Sequence, residues 1–146
     1  MARPNGYALD TNIVVSLARD NPLGKYLDRT FQLTIGGHTF ALPVVVIGEL
    51  RALSLKWSWG PVRRARVANI ISLFLPLDIY VETVLDAYAT IDNQSSSHGR
   101  DMGKNDLWIA AVAHVHNLTL LTTDTDFDHL HQLGLIDVEW VDPAST

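Results

Sequence analysis

Short apolar segments alternate with longer segments of helical pattern along the chain, and this alternation limits the possible folds more than any other feature of the sequence. Strands are expected at 7–9, 39–42, 75–79, 118–121 and 136–141. Helices are expected at 12–19, 23–30, 44–56, 62–74, 81–93, 105–116 and 123–133. A strand followed by a helix and another strand gives parallel strands with helices packed on the sheet. The sequence therefore predicts an α/β fold with three layers, α/β/α, around a mostly parallel central sheet.

Length and composition indicate a single domain over residues 1–146. Of these residues 47% are hydrophobic, which is enough for one core. The chain contains no cysteine, so disulfides and thiolate metal sites are excluded and a cytoplasmic location is expected. The longest apolar run, 41–47, contains Pro43 and is too short to span a bilayer, so no membrane association is expected.

Three connections carry signals of their own. The polar, serine- and glycine-containing segment 94–104 is expected to be a loop and a candidate mobile lid. Gly36 and Gly37 predict a turn. Asn105 is expected to cap the helix that follows it, which is apolar on nearly every side and is therefore predicted to be buried.

Acidic residues stand where the predicted elements meet. Asp10 directly follows the first strand, and Asp124 and Asp126 follow the strand 118–121. In a parallel sheet these strand ends open on the same edge, where ligands bind. Asp106 lies in the first turn of the buried helix, and Glu49 is the one acid of an otherwise apolar helix. We therefore expect these carboxylates to converge on one cleft.

Converging carboxylates require a positive partner, because like charges repel strongly in a pocket of low dielectric. No lysine or arginine lies after Lys104, so a divalent cation is the simplest partner for Asp106 and Asp124. Ligands that are all oxygen atoms suit Mg²⁺ or Mn²⁺. The alternative for each acid taken singly is a turn or helix-cap residue, and for Glu49 a solvated helix residue.

Four short motifs include these acids: 9–12 (LDTN), 48–50 (GEL), 105–111 (NDLWIAA) and 121–127 (LTTDTDF). They resemble the motifs of PIN-domain nucleases, and in particular those of the VapC-type toxins of bacterial toxin–antitoxin pairs. Each motif alone is weakly specific, but the four occur in the family's order and spacing, and the resemblance runs from about 7 to 141. The N-terminal lead before Asp10 and an insert around 31–38 depart from the pattern without touching a motif.

The resemblance implies a PIN-like fold and a metal-dependent endoribonuclease whose products carry a 5′-phosphate and a 3′-hydroxyl. It implies that Asp10, Glu49, Asp106 and Asp124 are catalytic residues that hold Mg²⁺ or Mn²⁺, with Asp126 as a further ligand at a position where family members differ. It also implies that Asn12 and Thr122 orient the carboxylates. An RNA substrate, a cognate antitoxin protein and a homodimer are the implied partners.

The basic residues are candidates for contact with the RNA backbone, although the net charge of the chain is −5. The segment 50–77 contains no acid and five basic residues: Arg51, Lys56, Arg63, Arg64 and Arg66. Trp57 and Trp59 lie among them and could stack a base, or pack in a dimer or antitoxin interface. Arg100 and Lys104, beside the predicted loop, are further candidates.

Other functions remain open at this point. A phosphatase-type hydrolase that uses Asp10 would want a second aspartate at position 12, where this chain has Asn12. A non-catalytic PIN-like RNA-binding module would be favoured by loss of one of the four acids, and all four are present. A receiver domain of a signalling pair would want a lysine near the end of the chain, and none follows Lys104.

Overall fold

The computed structural model describes residues 6–35 and 40–146. Its centre is one five-stranded sheet in the order β3-β2-β1-β4-β5, and every neighbouring pair of strands is parallel. The strands are β1 (Tyr7–Leu9), β2 (Phe40–Pro43), β3 (Leu75–Leu77), β4 (Thr119–Thr122) and β5 (Asp137–Trp140). The predicted parallel α/β architecture is confirmed.

Helices occupy the connections between the strands and flank the sheet. They are α1 (Thr11–Arg19), α2 (Pro22–Phe31), α3 (Val44–Lys56), α4 (Pro61–Ile71), α5 (Glu82–Ser97), α6 (Lys104–Val115) and α7 (Asp128–Gln132). One group of contacts joins α1 to α2 and α4, and another joins α5 to α6. None of the helices that the structure describes is long and apolar enough to cross a lipid bilayer.

The core lies between the central strands and α6. Leu9 of β1 and Leu121 of β4 are fully buried and stand opposite each other in register. Ile109 and Val112 of α6 are also fully buried, as its apolar sequence predicts. Because this register aligns the ends of β1 and β4, the residues that follow Leu9 and Leu121 are adjacent at the carboxyl edge of the sheet.

The prediction that 94–104 forms a loop is wrong for its first part. Helix α5 continues to Ser97, and the connection to α6 is only 98–103. The cause is Ser95, which is fully buried. Its hydroxyl donates to the backbone oxygen of Arg100 at 2.7 Å and lies 2.8 Å from Nε2 of His129. Because these two contacts satisfy the buried hydroxyl inside the protein, Ser95 stabilises the last turn of α5, where the composition favours a loop.

The prediction of one helix over 123–133 is also wrong at its start, because α7 begins only at Asp128. In the segment before α7, backbone N–H groups donate hydrogen bonds to side-chain oxygens. The N–H of Asp124 donates to Thr122 Oγ1 at 3.0 Å, and the N–H of Asp126 donates to Asp124 Oδ1 at 2.9 Å. Short polar side chains compete in this way with helical backbone hydrogen bonds.

Smaller boundary differences follow from backbone geometry. Asn105 does not cap α6, since that helix already starts at Lys104 with Gly103 in the cap position. Helix α4 ends at Ile71 and not at Phe74, and β3 is shorter than expected. The turn predicted at Gly36 and Gly37, and the start of the second strand at Thr39, lie outside the described residues.

Gly24 lets α2 approach α1 closely, and this contact predicts a stability effect. A Cβ at position 24 would lie 2.8 Å from the carbonyl carbon of Ser16, which is backbone and cannot turn away. We expect Gly24→Ala to lower the free energy of unfolding by about 1–3 kcal/mol through overpacking. Urea denaturation of the purified protein measures this change.

Gly48→Ala is the matched control. Gly48 lies inside α3, and a Cβ there would meet nothing within 4 Å. Alanine should therefore raise stability by up to about 1 kcal/mol through helix propensity. Equal denaturation midpoints for the two alanine variants would show that the contact between α1 and α2 is not as tight as described.

Candidate metal centre

Asp10 lies at the carboxyl end of β1 and begins α1 as its N-cap residue. Its side chain is 5% exposed. Oδ1 accepts a hydrogen bond from the backbone N–H of Thr11 at 2.8 Å, and Oδ2 accepts one from the Thr122 hydroxyl at 2.7 Å. Asp10 thus combines a cap with a fixed carboxylate, and both roles follow from its place between a strand and a helix.

Thr122, the last residue of β4, connects two of the acidic residues. Its side chain is fully buried, and its hydroxyl donates to Asp10 while accepting the N–H of Asp124. The register of β1 and β4 brings Thr122 beside Asp10, although the two are 112 residues apart in sequence. The resemblance implied that Thr122 orients carboxylates, and its hydroxyl contacts one of them, that of Asp10.

Glu49 is oriented by a residue that the sequence reasoning missed. The hydroxyl of Thr11 donates to Glu49 Oε1 at 2.8 Å, across 38 residues of sequence. This contact fixes α3 against the start of α1. The signal that could have indicated Thr11 is its position directly after Asp10, in the first turn of a helix that begins at the carboxyl edge.

Asn12 makes no such contact. Within 6–35 and 40–146 no hydrogen bond joins its side chain to a carboxylate, and its Oδ1 is buried with no partner. Asn12 lines the same cavity as the acids. A buried oxygen without a donor is suited to a bound water or a cation at that place.

Three further carboxylates lie within metal-binding reach of one another. Oxygen atoms of Asp106, Asp124 and Asp126 all fall within 4.8 Å of each other. Asp106 and Asp124 are partly buried and Asp126 is exposed. A cavity of about 350 Å³ then joins Asp106 and Asp124 to Asp10 and Glu49, which line its wall. The five predicted acids therefore meet at one edge of the sheet.

The electrostatics of this cluster are unfavourable without a cation. The pKa of Asp106 is raised to about 7, first by burial and then by the neighbouring carboxylates of Asp10, Asp124, Glu49 and Asp126 in that order of importance. Burial also raises the pKa of Asp10, although hydrogen bonds from Thr122 and Thr11 oppose this effect. The cluster is thus poised to bind positive charge.

No basic side chain that the structure describes forms an ion pair with an acid of the cluster. The one ion pair in the described part of the chain joins Arg66 to Asp20, which is not one of these acids, at 3.7 Å. The acids of the cluster offer only oxygen atoms as metal ligands, and such a ligand set fits Mg²⁺ or Mn²⁺. Asp10, Glu49, Asp106 and Asp124, with Asp126 at the rim, are the residues that would hold the ion.

The basic residues predicted to contact RNA are distributed over several surfaces. Arg51 and Arg64 line a hollow between α3 and α4, and Lys56 lines a cavity that it shares with Glu49. Arg63, Arg100 and Lys104 are exposed. None of these six lines the acid cavity, whose basic residue among the described positions is Arg19.

Comparison with known proteins gives consistent relatives. A sequence model of the PIN domain matches residues 7–133. The chain is 32% identical over 105 residues to Ribonuclease VapC4 of Mycobacterium tuberculosis, an overlap of 70% of this chain and 79% of that protein. It is also 32% identical over 125 residues to Toxin FitB of Neisseria gonorrhoeae, covering 80% of this chain and 86% of FitB.

A solved structure shares the fold. VapBC2 from Rickettsia felis, crystallised with a DNA fragment from its promoter, includes a chain that superposes with a TM-score of 0.80 at 24% identity. The match covers 93% of this chain and 98% of that one.

Burial and, second to it, the neighbouring carboxylates make ionisation of Asp106 unfavourable, which predicts that replacing this carboxylate stabilises the metal-free protein. In EDTA at pH 8 we expect Asp106→Asn to raise Tm by roughly 2–4 °C, corresponding to about 1 kcal/mol. The pKa of Asp106 is raised from 3.8 to about 7, so its ionisation costs stability as pH rises through that interval. The gain from Asn should therefore be small near pH 4 and complete above about pH 7, as differential scanning fluorimetry would show.

Added Mn²⁺ should reverse the order of the two proteins. A bound ion stabilises wild type in proportion to its affinity, whereas the Asn variant has lost one ligand. Asp137→Asn is the control, because Asp137 lies at the amino end of β5 and the acids lie at the carboxyl edge of the sheet. Its Tm should respond to Mn²⁺ as that of the wild-type protein does. An identical Mn²⁺ shift in wild type and Asp106→Asn would remove Asp106 from the ligand set.

Proposed function

The chain belongs to the PIN domain family, and from this premise we propose that it is a metal-dependent endoribonuclease and the toxin of a toxin–antitoxin pair. The observation that carries the proposal is the convergence of Asp10, Glu49, Asp106 and Asp124 on one cavity, where no basic residue that the structure describes forms an ion pair with any of them. The similarity to Ribonuclease VapC4 supports RNA as the substrate. The described sheet and its helices support one PIN domain over 1–146, and we propose that this domain acts in the cytoplasm.

The side chains divide the work of phosphodiester hydrolysis. Asp10, Asp106 and Asp124 would hold the principal Mg²⁺ or Mn²⁺, with Asp126 as a further ligand. When bound, such an ion lowers the pKa of water and offsets charge on the phosphoryl oxygens. Glu49 positions the attacking water or a second ion. Thr11 holds Oε1 of Glu49 at 2.8 Å, which leaves Oε2 to accept a proton from that water.

The hydroxyls at the sheet edge keep this arrangement fixed. Thr122 holds Asp10 at 2.7 Å and the backbone of Asp124 at 3.0 Å, so one buried side chain sets the spacing of two ligands. Groups that orient ligands affect metal affinity or activity by about 10- to 100-fold.

The partners follow from the relatives. Similar solved structures include VapBC2 from Rickettsia felis and FitAcB from Neisseria gonorrhoeae, the latter at 26% identity over 90% of this chain. We propose that a cognate antitoxin protein silences this chain and that the chain forms a homodimer.

Cleavage of RNA tests the function directly. Purified protein, shown by mass spectrometry to carry no antitoxin, is incubated with total cellular RNA in Mg²⁺, Mn²⁺ or EDTA. We expect discrete fragments with either ion and intact RNA in EDTA. Asp10→Asn should cleave RNA more than about 100-fold more slowly than wild type, because the substitution removes a metal ligand.

Asp137→Asn serves as the control for the loss of one carboxylate, since it lies at the amino end of β5. It should cleave like wild type. Cleavage that persists in EDTA, or equal rates for Asp10→Asn and wild type, would contradict the proposal. RNA that stays intact yet binds the metal-loaded protein would favour a non-catalytic binding module.

Thr122 gives a separate prediction about positioning. Thr122→Val keeps the shape of the side chain but removes the hydroxyl, so we expect a rate about 10- to 100-fold lower at subsaturating Mn²⁺. Thr122→Ser retains the hydroxyl and should recover most of the rate. Titration of Mn²⁺ should locate the defect of the valine variant in metal affinity, and an unchanged Mn²⁺ dependence would contradict the role assigned to Thr122.

A further inference from the structure

One wall of the acid cavity is formed by an aromatic and a basic residue that the metal centre does not use. Arg19 is the last residue of α1, and Trp57 directly follows α3. Both line the cavity of about 350 Å³ that also contains Asp10, Glu49 and Asp106. A cavity of this volume is at the lower end of the range of about 300–1,000 Å³ for small-ligand pockets.

Arg19 has no acidic partner among the residues that the structure describes. Its guanidinium carbon lies 5.2 Å from the centroid of the Trp57 ring, in cation–π contact. A guanidinium held over a ring keeps its N–H donors at its edge, where they can meet a phosphate. The contact thus orients the charge without satisfying the donors.

Trp57 is 49% exposed, whereas the neighbouring Trp59 is 6% exposed. The two rings are 5.9 Å apart and tilted by 55°. Trp59 therefore packs in the interior, whereas Trp57 retains exposed ring surface on which another aromatic group can stack. An exposed indole beside a guanidinium that has no acidic partner among the described residues is suited to bind single-stranded nucleic acid, since the ring can stack on a base and the charge can attract a phosphate.

Because the cavity is lined by carboxylates, a polyanionic substrate needs a basic side chain in the cavity wall. The scissile phosphate would enter among carboxylates, and the other phosphates of the strand would be repelled by any acid left uncompensated. Arg19 is the basic side chain that the described lining residues provide against this repulsion.

Resting on the function proposed above, we propose that Arg19 and Trp57 form a subsite for one nucleotide of single-stranded RNA next to the scissile phosphate. The base stacks on the exposed indole of Trp57. The guanidinium of Arg19 binds the phosphate of that nucleotide. The subsite favours unpaired RNA, because a base within a helix has no free face for stacking.

The experiment measures binding apart from cleavage. A labelled, unpaired 2′-O-methyl RNA oligonucleotide is titrated with wild-type protein in Mn²⁺ by fluorescence anisotropy at several salt concentrations, and gel electrophoresis of the samples checks that the oligonucleotide stays intact. We expect Trp57→Ala to weaken binding by about 5- to 100-fold, with Trp57→Phe recovering most of the loss. Arg19→Gln should reduce the slope of log K against log salt by about 0.7, the value of one phosphate contact.

Matched controls come from elsewhere on the surface. Arg29 lies 6.0 Å from the Tyr26 ring, a second cation–π pair, which lines no part of the acid cavity. Arg29→Gln should leave the salt slope unchanged. Tyr80, at 87% exposure, is the aromatic control, and Tyr80→Ala should bind like the parent.

The outcomes separate this proposal from the one it rests on. If wild type cleaves RNA but Trp57→Ala and Arg19→Gln match their controls in affinity and slope, the subsite is wrong and the nuclease stands. If both variants bind RNA normally but fail to bind a cognate antitoxin, the wall is a protein interface and the proposal is overturned. If wild type neither cleaves nor binds RNA, the proposed function itself fails and the subsite with it.

Discussion

The hydrogen bond from Thr122 to Asp10 joins the ends of the two central strands at the point where the chemistry is concentrated. It is 2.7 Å long, and Thr122 is fully buried. It exists because Leu9 and Leu121 stand opposite each other in a parallel ladder, which aligns the residues that follow them. The same hydroxyl accepts the N–H of Asp124 and so determines the turn before α7. A single side chain thereby couples the sheet, the first helix and two acids.

Around this contact the fold concentrates carboxylates that form no ion pair with any basic residue that the structure describes. The pKa of Asp106 is raised to about 7 because full ionisation of the metal-free cluster is unfavourable. Burial is the larger cause, and the neighbouring carboxylates add to it. The tightly packed core between α6 and the central strands prevents the acids from moving apart. The proposed affinity for a divalent ion and the unfavourable electrostatics without it are therefore two consequences of the same geometry.

Basic residues that are close in sequence serve different surfaces, because successive positions on a helix point about 100° apart. Arg51 and Lys56 both belong to α3, yet one lines the hollow against α4 and the other the cavity beside Glu49. Arg19, outside the basic segment, is instead the cation of the acid cavity. Charge patterning along the sequence thus indicated that cations were available but not which of them faces the acids.

The sequence by itself determined the order of strands and helices, the buried α6 and the acids at strand ends, because apolar periodicity and strand-end positions are local features. It did not determine that Thr11 holds Glu49 across 38 residues, or that Ser95 extends α5 by bonding to Arg100 and His129. Nor did it show that Asn12 Oδ1 is left without a partner. These contacts depend on strand register and helix packing, since each joins or isolates polar groups whose neighbours are set only when distant segments come together.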